Sequence, residues 1–137
     1  MINATESFTR IKESAEQIRN TDCQRFPEAA SFGEWVRQGD VYFTLIENIP
    51  SSAKLIEKPS PQLAPGTTKG SRHILQSVSD VELYEPANKT VLQGPIMKVK
   101  KEVEVDHPEH GNWILPPGCY SINYQRARAE ELKRLAD

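Results

Sequence analysis

The chain has 137 residues, 37% of them hydrophobic and 26% charged, with a formal net charge of −2. That length supports one domain with one buried core, and the polar bias places part of the chain outside it. The near-neutral charge, with no long run of Lys and Arg, excludes a phosphate-neutralising surface, so no nucleic-acid partner is expected. The longest apolar runs fall far short of the roughly 20 residues of a membrane-spanning helix. Met1 to Glu6 lacks the basic start and apolar core of a signal peptide, so a soluble, cytoplasmic protein with no membrane partner is expected. Cys23 and Cys119 are distant in sequence, and two free thiols are expected rather than a disulfide.

From Thr5 to about Asn20, Phe8, Ile11, Ala15 and Ile18 recur at helical spacing between charged residues, predicting an amphipathic helix with a narrow apolar stripe. Such a stripe suits a helix docked on its own domain or an arm that joins subunits. Ser31-Phe32-Gly33-Glu34 has the spacing of a helix capping box. The residues after it fit both a short helix through Trp35 and Val36 and a strand over Glu34 to Gln38. Val41 to Ile46, rich in β-branched and aromatic residues, predicts a central strand. Pro50 to Gly70, with Pro59, Pro61 and Pro65, predicts an irregular surface loop.

His73-Ile74-Leu75-Gln76 and Val81-Glu82-Leu83-Tyr84, joined by Ser77 to Asp80, predict a hairpin. Thr90-Val91-Leu92 starts a further strand, with a bend or bulge expected at Pro95. Met97, Val99, Val103 and Val105 hold odd positions against charged even ones, so one face is buried and one is wet. Lys101 breaks the phase and predicts a rim or bulge. Carried onward, that phase points His107 inward. Gly111 opens a segment through Leu115, Pro116-Pro117-Gly118 predicts a turn, and Tyr120, Ile122 and Tyr124 share one face of a last strand. Ala127 to Ala136 predicts a short terminal helix.

The expected fold is therefore mainly β, a small barrel or sandwich of short strands with an N-terminal amphipathic helix and a short C-terminal helix. The expected organisation is a helical arm over residues 1–37, a β domain over 38–126 and a terminal helix over 127–137.

The candidate chemistry centres on Asp106-His107-Pro108-Glu109-His110-Gly111. If His73 arrives on a neighbouring strand, His73, His107 and His110 make a three-nitrogen metal site, with Glu109 or Asp106 as a further ligand or its support. Zinc, manganese or iron would suit it, and an open fourth position would activate water. The competing reading is that histidines in turns after strands are hydrogen-bonded structural residues. Lys69 and Arg72 are candidate anion contacts. Gly66 to Ser71 lacks the Gly-Lys-Ser/Thr ending of a phosphate loop and reads as a polar turn.

Gln38-Gly39-Asp40-Val41, Gly70-Ser71-Arg72-His73, His107-Pro108-Glu109-His110-Gly111, Leu115-Pro116-Pro117-Gly118-Cys119-Tyr120 and Gln125-Arg126 together resemble a group of small uncharacterised bacterial and phage-associated proteins. The resemblance runs from Gln38 to the C-terminus. It implies a Gly-His-x-His loop followed by a His-x-x-His loop, with His73, His107 and His110 at matching positions and Ser71 where the first histidine would stand. The chain supports three readings. The first is a binding or assembly module acting as a subunit or accessory protein, homo-oligomeric or docked on a larger assembly. The second is a cupin-like metal-dependent enzyme using the three histidines. The third is a phage or mobile-element structural subunit.

Overall fold

The computed structural model describes residues 23–65 and 72–125. The helices expected at the two ends, and Lys69, lie outside the described residues.

The described chain is built from ten strands: β1 (Gln24–Arg25), β2 (Trp35–Gln38), β3 (Val41–Ile46), β4 (Lys54–Leu55), β5 (Ile74–Leu75), β6 (Val81–Glu85), β7 (Gln93–Val99), β8 (Val103–Asp106), β9 (Trp113–Leu115) and β10 (Gly118–Tyr124). They form a six-stranded sheet in the order β2-β3-β10-β7-β6-β4 and a four-stranded sheet in the order β1-β9-β8-β5. Both are open, so of the two expected architectures the sandwich-like one is realised and the closed barrel is not. Among the described residues no helix is long and apolar enough to cross a membrane.

The core lies between the sheets. Val41, Phe43, Leu83, Met97, Val99, Tyr120 and Ile122 from the larger sheet meet Leu75, Val103, Val105 and Leu115 from the smaller one. The alternation expected over Met97 to Val105 is present: the four odd-numbered apolar side chains are all buried. They do not belong to one strand, however. The chain bends at Lys100 and Lys101 and passes from β7 in the large sheet to β8 in the small one, keeping the same side chains directed at the shared core. Lys101 thus stands at a rim. The same device, one continuous apolar phase feeding two sheets, closes many small sandwiches.

Other expectations are corrected. Ser77 to Asp80 does not close a hairpin, because β5 pairs with β8 in one sheet and β6 pairs with β7 in the other. The periodicity on either side is correct, but periodicity does not encode which sheet receives each strand. Thr90 to Leu92 is a turn, and strand β7 begins only at Gln93. The bulge expected at Pro95 is found: Ser121 pairs with Ile96 and Asn123 with Gln93, so Gly94 and Pro95 together oppose Ile122. An extra residue there removes the need for a ladder donor that Pro lacks.

Of the two readings after the capping-box motif, the strand is realised, over Trp35–Gln38. Ser31 N–H donates to Glu34 Oε2 at 2.5 Å and Glu34 N–H to Ser31 O at 3.1 Å, so the capping-box bond forms yet closes a turn ahead of β2. The irregular character expected for Pro50 to Gly70 holds in its described part apart from β4 and an isolated bridge from Gln62 to Ile74, but the segment is not all surface: Leu63 and Ala64 are buried in the core. Phe26 enters the core beside Tyr120, edge to face at 5.3 Å. Cys23 and Cys119 are free thiols.

Tyr124 ties the Pro-rich loop to the sandwich, its hydroxyl donating to Leu63 O at 2.8 Å in a buried setting. Tyr124→Phe should lower stability by about 1–2 kcal/mol, since it strips a donor from a buried carbonyl. The check is a lower urea midpoint at unchanged denaturant slope.

Candidate functional site

The three histidines come together. His73 and His107 have ring centroids 4.5 Å apart, and His107 and His110 repeat that spacing, giving a row of three tilted imidazoles. His73 is fully buried, His107 is 3% exposed and His110 lies at the surface. The inward direction expected for His107 from the valine phase is therefore observed.

Two chain segments position the three rings. His73 precedes β5, whose Ile74 and Leu75 pair with Asp106 and Val105 of β8. His107 follows β8 directly and its ring folds back over its own turn: Nδ1 accepts the backbone N–H of Glu109 and of His110, each at 3.1 Å. Asn112 closes the same turn, accepting His107 N–H at 3.2 Å and donating to Glu104 at 2.6 Å. Gly111 supplies a positive φ of 74°, which a side-chain-bearing residue rarely adopts. His110 then seats against Gly39, where an added Cβ would lie 2.6 Å from its Cδ2.

The residue that joins these pieces is Gln38, wholly buried at the end of β2. Its amide nitrogen donates to Val105 O at 2.9 Å and to Gly111 O at 2.8 Å. Its oxygen faces His73 Nδ1 at 2.8 Å, and two residues on, Asp40 Oδ1 faces His73 Nε2 at 3.1 Å. The sequence marks Gln38 and Asp40 only as part of a motif, not as site residues. The available signal is a Gln-Gly-Asp turn between two strands, where a buried Gln has no apolar reason to be.

The donor set can be tested against a divalent metal. His107 Nδ1 gives its lone pair to two amides, so in the neutral ring the proton sits on Nε2 and neither nitrogen offers a lone pair. Both nitrogens of His73 face oxygen atoms. Among the described residues no group of three or more His, Cys, Asp or Glu is arranged to hold a metal ion. As placed, these side chains do not fit one. Glu109 is exposed on the turn and contributes its backbone N–H to His107 rather than its carboxylate.

Arg72, the described member of the expected anion pair, lines a cleft of about 500 Å³ with Ile74, Asp106, His107, Pro108 and Asn112. Asp106 is pushed above the ordinary carboxylate range, first by burial and then by the charge of Glu104, while a hydrogen bond from Gln76 pulls the other way. Cys23 is likewise raised, by burial and by the Glu104 and Asp106 charges. Its thiol is thus held away from the reactive thiolate form.

Fold and site together define a two-sheet β domain with a hydrogen-bonded histidine row at one end. The chain belongs to the family described as a domain of unknown function, DUF8820, which matches residues 37–125. That span begins one residue before Gln38 and takes in every residue of the row. No curated protein and no solved structure matches the chain.

Two substitutions check this geometry. Ala at Gly39 carries two costs, a φ of +59° and the approach to His110, and a double-mutant cycle separates them. In a His110→Ala background, Gly39→Ala should retain only the backbone cost of about 1–2 kcal/mol, with the excess in the wild-type background reporting the ring contact. For Asp106, a pKa raised on folding means the native state binds more protons between the unfolded and folded values. Stability therefore falls as pH rises through that window. Asp106→Asn keeps an oxygen for Gln76 and removes the charge, so thermal melts should show it more stable than wild type at pH 7, with the difference gone at acidic pH where both side chains are neutral.

Proposed function

We propose that this domain is a binding and assembly module whose partner is a second copy of the same chain, engaged through the face around strand β2. One observation carries the reading: Phe32 and Trp35 are 63% and 58% exposed, the two highest values among the exposed large hydrophobics of the described residues. They flank a cleft of about 520 Å³ whose other walls include Phe26, Pro27, Ala30 and Val36. Large aromatics exposed together on an edge strand invite association unless something covers them, and aromatics of this kind anchor interfaces.

The mode of contact comes from the edge itself. Just before β2, Glu34 O accepts the Leu45 N–H of β3, and in that register Trp35 and Arg37 turn their backbone groups outward. The Arg37 carbonyl already accepts the Trp113 indole N–H at 3.1 Å. Trp113 blunts the edge there, which favours side-chain packing over extension of the sheet. Trp35 is braced edge to face on Tyr42 at 5.2 Å, and Arg37 stacks over the same Tyr42 at 5.8 Å. The anchor is thus preorganised, which reduces the ordering cost of association.

The support for a cupin-like metalloenzyme is weaker, since the sheets are open and both nitrogens of His73 and Nδ1 of His107 are engaged in hydrogen bonds. Association with phage or mobile elements rests on the sequence resemblance.

Sedimentation velocity of the full chain across a concentration series tests the proposal. Wild type should shift reversibly above the monomer, and Trp35→Lys and Phe32→Ser should return it to monomer with unchanged circular dichroism. A wild-type chain that stays monomeric at every concentration, or assembles equally well with both substitutions, would falsify self-association through this face.

A further inference from the structure

We propose that the cation bound by the histidine row is a proton, held permanently on His73, so that a buried imidazolium occupies the place where the histidine pattern suggests a metal. Gln38 fixes where the protons sit. Both hydrogens of its amide are directed at carbonyl oxygens, Val105 O and Gly111 O, and reversing the amide would bring three oxygens together. The orientation is therefore fixed, and the Gln38 oxygen, an acceptor only, faces His73 Nδ1 at 2.8 Å. That nitrogen must donate. Nε2 faces the Asp40 carboxylate at 3.1 Å, also an acceptor. A histidine that donates from both nitrogens is an imidazolium.

The surroundings accept that charge. A buried ion is tolerated when it is paired and its hydrogen bonds are satisfied, and His73 has a carboxylate on one nitrogen and an amide oxygen on the other. His107, packed 4.5 Å from it, is neutral because Nδ1 accepts two amides, so it adds no second charge. Its own neighbour His110 lies farther out, at the surface. The titratable groups facing His73 are thus Asp40 from the β2–β3 turn and His107, backed by His110, from the 107–112 turn; Gln38 is uncharged. As with a structural metal, one central cation ties several segments: the β2–β3 turn, the approach to β5 and, through Gln38, the end of β8 and Gly111.

The test is two-bond ¹H–¹⁵N correlation spectroscopy of the imidazoles in the ¹⁵N-labelled full chain at pH 7, where an unperturbed histidine is mostly neutral. Both nitrogens of His73 should carry protons, while His107 shows one, on Nε2. Adding one equivalent of zinc should leave the His73 and His107 signals in place. In Asp40→Asn, which removes the counter-charge, His73 should lose one proton while the amide spectrum stays dispersed. A single protonated nitrogen on wild-type His73, its proton resting on Asp40 instead, overturns the proposal. So does stoichiometric zinc binding that shifts His73 and His107, or two retained protons in Asp40→Asn. Should Asp40→Asn fail to fold, the wild-type spectrum, with and without zinc, decides the matter.

Discussion

The side-chain amide of Gln38 is the constraint on which the end of this sandwich depends. It is a polar group with no exposure, and its three hydrogen bonds reach the end of β8, the Gly111 carbonyl and the His73 ring. Leaving a buried amide unsatisfied costs several kcal/mol, on the order of a whole domain's margin, so the three partners cannot drift independently. The turn that holds His107 and His110 is thereby locked to the turn between β2 and β3. Gly39 lets the two approach, because nothing larger than hydrogen fits between its Cα and the His110 ring.

In this arrangement two of the three histidines, His73 and His107, commit ring nitrogens to hydrogen bonds that hold the fold. An imidazole can ligate, donate or accept, but each nitrogen does one of these at a time. His107 gives Nδ1 to its own turn, which the tight connection between β8 and β9 needs, since the backbone N–H groups of Glu109 and His110 have no strand partner. His73 gives both nitrogens to the end of β2 and the β2–β3 turn. The row is contiguous because the segments are tied together, and the ties use both ring nitrogens of His73 and Nδ1 of His107.

Much of this is legible in the sequence, and the limits have physical causes. Strand periodicity shows which side chains face the core, from Met97 to Val105 and from Tyr120 to Tyr124, and it places His107 inward. It is silent on which sheet a strand joins, because the same alternation serves either side of one core. Hence Ser77 to Asp80 reads as a hairpin although it spans the two sheets. The closed barrel is equally compatible with the pattern, since closure depends on the pairing of edge strands, which is a long-range property. The convergence of His73 on the later turn enters the sequence reading as a condition of the site. The identity of its partners does not, for Gln38 and Asp40 lie 35 and 33 positions from His73. Side-chain hydrogen bonds across such distances leave no periodic trace.

The same locking bears on where the domain meets a partner. Gln38 closes the C-terminal end of β2, and Trp113 caps the Arg37 carbonyl, so the inner half of that edge strand is committed to its own domain. At the other end Trp35, with the preceding Phe32, leaves large apolar side chains open to solvent. An edge strand that is anchored at one end and apolar at the other presents its aromatics at a fixed angle, rather than as a mobile flap. The histidine row and the β2 face are therefore linked through the four residues of one strand: the buried Gln38 sets the position from which the exposed Trp35 is displayed.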